Sequence, residues 1–133
     1  MTPRVKPDVL VAIALGGILG ATARFELAQA LPTSPGRFPW ATFWTNMSGS
    51  LALGFLLVLL LERSRQHRLL RPFLATGILG AFTTMSTYLV ETAVLIKDGH
   101  ATVGVTYGLS SLAVGLLLAF AGMFGARQIT QRR

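Results

Sequence analysis

The residues of this chain that could do chemistry are hydrogen-bonding side chains set inside long apolar runs. Asn46 lies well within one run. Thr83, Thr84, Ser86 and Thr87 crowd the middle of another, with Glu91 further on, and Tyr107, Ser110 and Ser111 occupy a third. An isolated Ser or Thr commonly bonds its own backbone. A cluster at one depth differs, because polar groups in hydrocarbon are costly and usually face an interior pathway. Thr84, Thr87 and Glu91 follow i, i+3, i+7 and share a helix face, while Met85 and Tyr88, three apart, lie on an adjoining one. Tyr107 and Ser111 are four apart. Together these residues form a narrow hydrogen-bonding track, with amide N–H and hydroxyl O–H groups able to replace the water around a small anion.

Catalysis finds little support. No Gly-rich phosphate loop and no His-rich metal site is present, and His67 and His100 are lone loop residues. The absence of cysteine excludes disulfide and thiolate chemistry. The chain is therefore expected not to be an enzyme.

The elements that must position these groups follow from hydropathy. The 133 residues are 52% hydrophobic and 13% charged, where a soluble domain carries roughly a quarter charged. Four stretches reach the length of about 20 apolar residues that spans a bilayer. They run from about Asp8 to Leu31, Phe38 to Leu61, Leu69 to Ile96, and Ala101 to Gly125. The first resembles a signal peptide only in its leading Arg4 and Lys6; Arg24 and Glu26 follow without a clean cleavage site, so it is expected to be retained. The connections, Leu31 to Arg37, Glu62 to Arg71, and Lys97 to His100, leave no room for a soluble domain. Residues 1–133 thus read as one all-α integral membrane domain.

The net charge of +7 raises nucleic acid as a partner. The basic residues lie in the gaps between spans, however, where they set topology instead. Arg4, Lys6, Arg63, Arg65, Arg68, Arg71, Arg127, Arg132 and Arg133 share one side; Arg24, Arg37 and Lys97 lie towards the other. That bias of nine against three places both termini in the cytoplasm.

Small residues recur every four positions: Ala12, Gly16 and Gly20 leading to Arg24; Asn46, Ser50 and Gly54; Thr76 and Gly80; Gly104 and Gly108. Such faces let helix backbones approach closely in lipid. The run Thr76 to Thr84 also holds two glycines and two adjacent threonines, which weaken a helix. A break at mid-membrane, freeing carbonyls for a hard cation, and a plain glycine-containing helix both fit these residues.

Three segments resemble the Fluc/CrcB family of fluoride channels. Gly16-Gly17-Ile18-Leu19-Gly20-Ala21-Thr22-Ala23-Arg24 is similar to the family's first-helix signature, and Thr45-Asn46-Met47-Ser48-Gly49-Ser50 to its asparagine motif. Gly80-Ala81-Phe82-Thr83-Thr84-Met85-Ser86-Thr87-Tyr88 is similar to its third-helix break, with Glu91 at the usual spacing. The resemblance implies a break in the third helix and an antiparallel dual-topology dimer with two fluoride pores. It also implies one structural Na+ at the dimer centre, held by carbonyls that by motif position are those of Gly80 and Thr83. Asn46 would donate to fluoride, and Met85 and Tyr88 would occupy the family's phenylalanine-box positions. Thr84, Thr87, Glu91, Tyr107 and Ser111 would belong to the polar track, with Glu91 anchoring hydroxyls instead of touching the anion. Arg24 matches the signature, and its residue type alone assigns it no role.

The implied function is passive export of fluoride across a prokaryotic cell membrane, protecting against fluoride toxicity. Two departures stand out. Met85 lacks a ring edge, and Tyr88 adds a hydroxyl that needs a partner. The charge bias sits poorly with insertion in both orientations, so a heterodimer with a homologous subunit stands beside the favoured homodimer. A small four-helix drug/proton antiporter is the nearest rival, but Glu26 lies late in its helix beside Arg24 and Glu91 is on the wrong helix for that chemistry. A poreless assembly subunit would account for the small-residue faces and not for Asn46 or the Ser/Thr cluster.

Overall fold

The computed structural model describes residues 6–62 and 68–131. Arg4, Arg63, Arg65, His67, Arg132 and Arg133 lie outside the described residues. Four helical spans are long and apolar enough to cross a membrane. The first is α1, Pro7–Ala30, and the second α2, Trp40–Glu62. Pro7 suits the first turn of α1, where its missing N–H would have no partner, and Asp8 complements the helix N-terminus. The last, α5, covers Ala101–Thr130 and continues past Gly125 through Arg127. That extension places a cation in the final turn, where the exposed carbonyls favour one.

The third span is composite. Pro72–Leu79 winds as a π-helix, and the Gly80 N–H reaches the Ala75 carbonyl five residues back. One short turn, α3, Gly80–Phe82, follows. Thr83 (φ −75°, ψ 154°) and Thr84 (φ −144°, ψ 116°) are extended. Helix then resumes as α4, Met85–Lys97, capped by Thr84, whose Oγ1 accepts the Thr87 N–H at 3.2 Å.

Small residues join the spans in two pairs. Gly16 and Gly20 of α1 lie against the backbone of the π-helical stretch; a Cβ on either would run into the Phe73 or Ile78 carbonyl oxygen. On the other side, Gly54 of α2 meets the Ala119 carbonyl, and Gly122 of α5 meets that of Leu51. The expected Thr76/Gly80 face is not the one that packs. Both residues are exposed, and the buried glycine is Gly77, set against Gly16. Thr76 and Gly80 still share a face, one that is exposed in the single chain, while the contact with α1 falls on Gly77.

The ends of the bundle are tied separately. Arg68 pairs with Asp8, joining the start of α1 to the approach of the third span. At the opposite end Gly36, with φ +74°, lies under the His100 ring. A side chain there would be strained by the backbone and blocked by the imidazole. Phe43, Met47, Leu95 and Tyr107 form a buried cluster between α2, α4 and α5. Leu15, Ile18, Leu117, Phe120 and Phe124 are each more than half exposed, the surface expected where the surrounding medium is lipid. Trp40 and Trp44, both about half exposed, stack near the start of α2, where membrane helices place interfacial aromatics.

Candidate functional site

The site is built around Thr83 and Thr84. Helical geometry would send the Thr84 N–H to the Gly80 carbonyl. It goes instead to Asn46 Oδ1 at 2.8 Å, and Asn46 Nδ2 donates back to the Thr84 carbonyl at 2.9 Å. One side chain on α2 thereby satisfies both backbone groups of an extended residue inside an apolar span, where unsatisfied groups would each be costly. Three residues on, Gly49 makes room for the Thr83 methyl, so both contacts come from one face of α2. The Asn46 amide keeps one further N–H, because its NH2 group carries two donors.

The diversion frees carbonyls. Gly80 loses the Thr84 N–H, and Thr83 loses that of Thr87, which turns to Thr84 Oγ1. Gly80 is exposed, and a Cβ there would come near nothing but the Ala75 oxygen, at 3.6 Å. The Thr83 hydroxyl is committed to the Leu79 carbonyl at 2.9 Å. Among the described residues no cluster of three or more His, Cys, Asp and Glu exists.

Thr84 lines two cavities. One, of about 360 Å³, is walled by α2, the third span and α5, and includes Asn46, Thr83, Met85, Tyr88 and Ser111. The other, of about 590 Å³, holds Arg24, Thr42, Thr45, Thr87 and Glu91. The residues read from the sequence as one track thus fall on both sides of Thr84 within a single chain. Tyr107 lines neither cavity and is fully buried. Arg24 is the one basic residue among those lining the second cavity, which also includes Glu91.

Each remaining side chain has a definite setting. Glu91 accepts from Thr42 Oγ1 at 2.9 Å on one oxygen and from the Tyr107 hydroxyl at 2.8 Å on the other. The Thr84 hydroxyl donates to Thr87 Oγ1 at 2.9 Å. Tyr88 donates to the Gly108 carbonyl at 2.9 Å. Met85 is 66% exposed. Ser111 is buried, and its Oγ has no partner among the described residues.

Thr42 was not singled out from the sequence, and Thr45 and Gly49 entered only as members of the asparagine motif. With Asn46 they form a polar-or-small stripe on α2 at spacings of three and four, which was the signal available. The partner residues on α4 were not readable from it.

The family model described as "CrcB-like protein, Camphor Resistance (CrcB)" matches residues 11–123. The chain is 46% identical to the fluoride-specific ion channel FluC 2 of Nocardia farcinica, over 91% of this chain and 84% of that protein. It is 44% identical to FluC 1 of Moorella thermoacetica, over 86% and 83%. With FluC 1 of Streptomyces coelicolor the identity is 38%, over 98% and 84%. Both of the last two are likewise named fluoride-specific ion channels. With four apolar spans and a family match that runs through all of them, this chain belongs to the CrcB family.

Proposed function

We propose that this multi-pass membrane protein is a fluoride channel that lets the anion leave the cell passively. The observation that carries the reading is the pair of cavities meeting at Thr84, each combining apolar walls with hydrogen-bond donors. Fluoride is small and strongly hydrated, and it crosses only where donors replace its water. The spare Asn46 N–H, the Ser111 hydroxyl and the Thr87 hydroxyl are such donors, and the Arg24 guanidinium attracts an anion to the second cavity. Glu91 spends its oxygens on Thr42 and Tyr107, which supports a role in holding hydroxyls in place. The Met85 thioether and the Tyr88 ring wall the first cavity. Conduction makes and breaks no covalent bond, so this reading assigns no catalytic residue. The membrane is the cell membrane of a prokaryote.

The same reading assigns a second subunit. The first cavity lies open along the third span, beside the exposed Gly80. Two free carbonyls, of Gly80 and Thr83, are too few to surround Na+, and an antiparallel second copy would double the set. The ion would act structurally, neutralising carbonyl dipoles that face one another across the dimer. The charge bias favours one alternative, a pair with a differently charged homologue. The intact set of site residues in one chain favours the homodimer. Accessibility of a tagged terminus in cells separates them: two orientations are expected, and a single one overturns the homodimer.

Fluoride efflux from liposomes containing this chain alone tests the function. Efflux that is selective over chloride and abolished by Asn46→Leu is expected. Proton-coupled movement of an organic cation, with no fluoride efflux, would overturn it in favour of an antiporter.

A further inference from the structure

The Tyr88 hydroxyl is the one ring substituent at the cavity whose partner lies on another span. It donates to the Gly108 carbonyl on α5 at 2.9 Å, spanning twenty residues of sequence. The ring meets Tyr107 edge-on, with centroids 5.5 Å apart and planes at 62°. The bond does not depend on the glycine, since a side chain at 108 would meet only ordinary contact distances. A Cβ there would stand 3.8 Å from the hydroxyl and 3.4 Å from the Thr92 methyl. Thr92 in turn donates to the Tyr88 carbonyl at 2.8 Å. Met85, one turn earlier on the same cavity wall, is largely exposed and has no comparable restraint.

A tyrosine hydroxyl has one proton to give. Here it is given to a backbone carbonyl, so it is not offered to an ion in the cavity. What the cavity receives from Tyr88 is a ring wall whose far end is tied to α5. A bond at the para position lies on the ring's flip axis, so it leaves 180° flips free and resists swinging about χ1.

We propose that Tyr88 is a positioning residue whose hydroxyl latches α4 to α5 at Gly108, holding the ring as a fixed pore wall and thereby limiting the rate of fluoride passage. The inference rests on the fluoride-channel reading above. A phenyl ring of the same size without the tether can yield to the ion, whereas the tethered ring cannot.

Three substitutions at Tyr88, compared by fluoride efflux from liposomes at equal protein content, separate bond from bulk. Tyr88→Phe is expected to raise the efflux rate about threefold or more, in line with the net worth of a single hydrogen bond. Tyr88→4-methylphenylalanine, which restores bulk without a donor, is expected to match it. Tyr88→4-aminophenylalanine, which restores an N–H donor at the same place, is expected to return the rate to within about twofold of the parent. A Phe rate that does not rise, a methyl variant that behaves like the parent, or an amino variant that fails to restore the rate overturns the latch. A readout independent of transport uses the fact that the chain has two tyrosines. In ζ-13C-tyrosine protein in a mixed H2O/D2O buffer, a latched hydroxyl exchanges slowly and splits its carbon signal, and the signal lost in Tyr88→Phe identifies the residue. An unsplit Tyr88 signal overturns the latch even where efflux responds. A parent chain that passes no fluoride, its Tyr88 signal split as expected, overturns the channel reading and the latch's part in conduction together.

Discussion

The two halves of the third span differ in how far side-chain hydrogen bonds add to the packing that holds them. From Pro72 to Phe82 the chain is fixed by the nearness of backbones: Gly16 and Gly20 leave no room between α1 and the carbonyls of Phe73 and Ile78. From Thr84 onward the packing of Leu95 and the close approach of Gly104 are joined by side-chain hydrogen bonds, through Asn46 to Thr84, Thr42 and Tyr107 to Glu91, and Tyr88 to Gly108. In lipid, where no hydrophobic force draws helices together, close packing and interhelical hydrogen bonds are the main forces available. The molecule spends the first on a rigid support and the second on a surface that presents polar groups. An ion can exchange partners with a hydrogen-bonded surface, and it cannot with a glycine seam.

The sharpest way to break this contrast is to fill the seam. Gly16→Ala together with Gly20→Ala places two methyl groups against immovable carbonyls, and overpacking at about 1–3 kcal/mol per site sums to about 4 kcal/mol. Loss of the folded, extractable protein is the expected outcome, read by thermal stability in detergent. Gly17 is the internal control, because a Cβ there meets nothing within 4 Å. Gly17→Ala is expected to be neutral, or stabilising by up to about 1 kcal/mol through helix propensity. Equal behaviour of the two variants would show that α1 does not depend on backbone contact.

Asn46→Leu attacks the hydrogen-bonded half next. It strands the N–H and the carbonyl of Thr84, at a cost of about 3 kcal/mol if each group loses about 1.5 kcal/mol. Efflux should fall below detection while the α1 seam survives, so that crosslinking between α1 and the π-helical stretch is unchanged. If crosslinking fails as well, the two halves are not independent.

Much of this contrast was legible in the residues. Four apolar runs of spanning length gave the fold class, and Gly16 and Gly20 gave the seam on α1, because a four-residue repeat on a regular helix marks one face whatever its partner. The same rule applied to Thr76 and Gly80 marks a face that stays exposed in the single chain, while Gly77 meets α1, because which face a neighbour takes depends on where that neighbour lies. Asn46 stood out as a polar residue in hydrocarbon, yet its bond to the Thr84 backbone depends on how α2 and the third span are placed, which spacing along one helix does not contain. The division of the polar residues between two cavities was hidden for the same reason. Thr87 and Met85 are two residues apart and open onto different spaces.

Glu91 sharpens the comparison more gently. Glu91→Gln keeps one acceptor oxygen for the hydroxyls of Thr42 and Tyr107 and turns an NH2 towards the other. A loss of about 1 kcal/mol is expected, one net hydrogen bond, together with slower efflux. Unchanged stability and unchanged transport would remove its part as an anchor.

Met85 should give the smallest change in stability. It opens α4, is 66% exposed, and walls the first cavity without packing into the buried cluster. Truncating an exposed side chain that makes no hydrogen bond typically changes stability by less than about 0.5 kcal/mol, so Met85→Ala, which leaves the Thr84 cap in place, should unfold at the temperature of the parent chain. Its effect on transport tests a different property. Tyr88 is tied to α5 and Met85 is not, so the flexible thioether is the part of this wall free to follow a passing ion. Met85→Phe would substitute a rigid ring whose edge is electropositive, and the efflux rate should change while the melting temperature does not. A fall in melting temperature would mean that Met85 is packed against something in the assembled protein, and its part as a yielding pore wall would be lost.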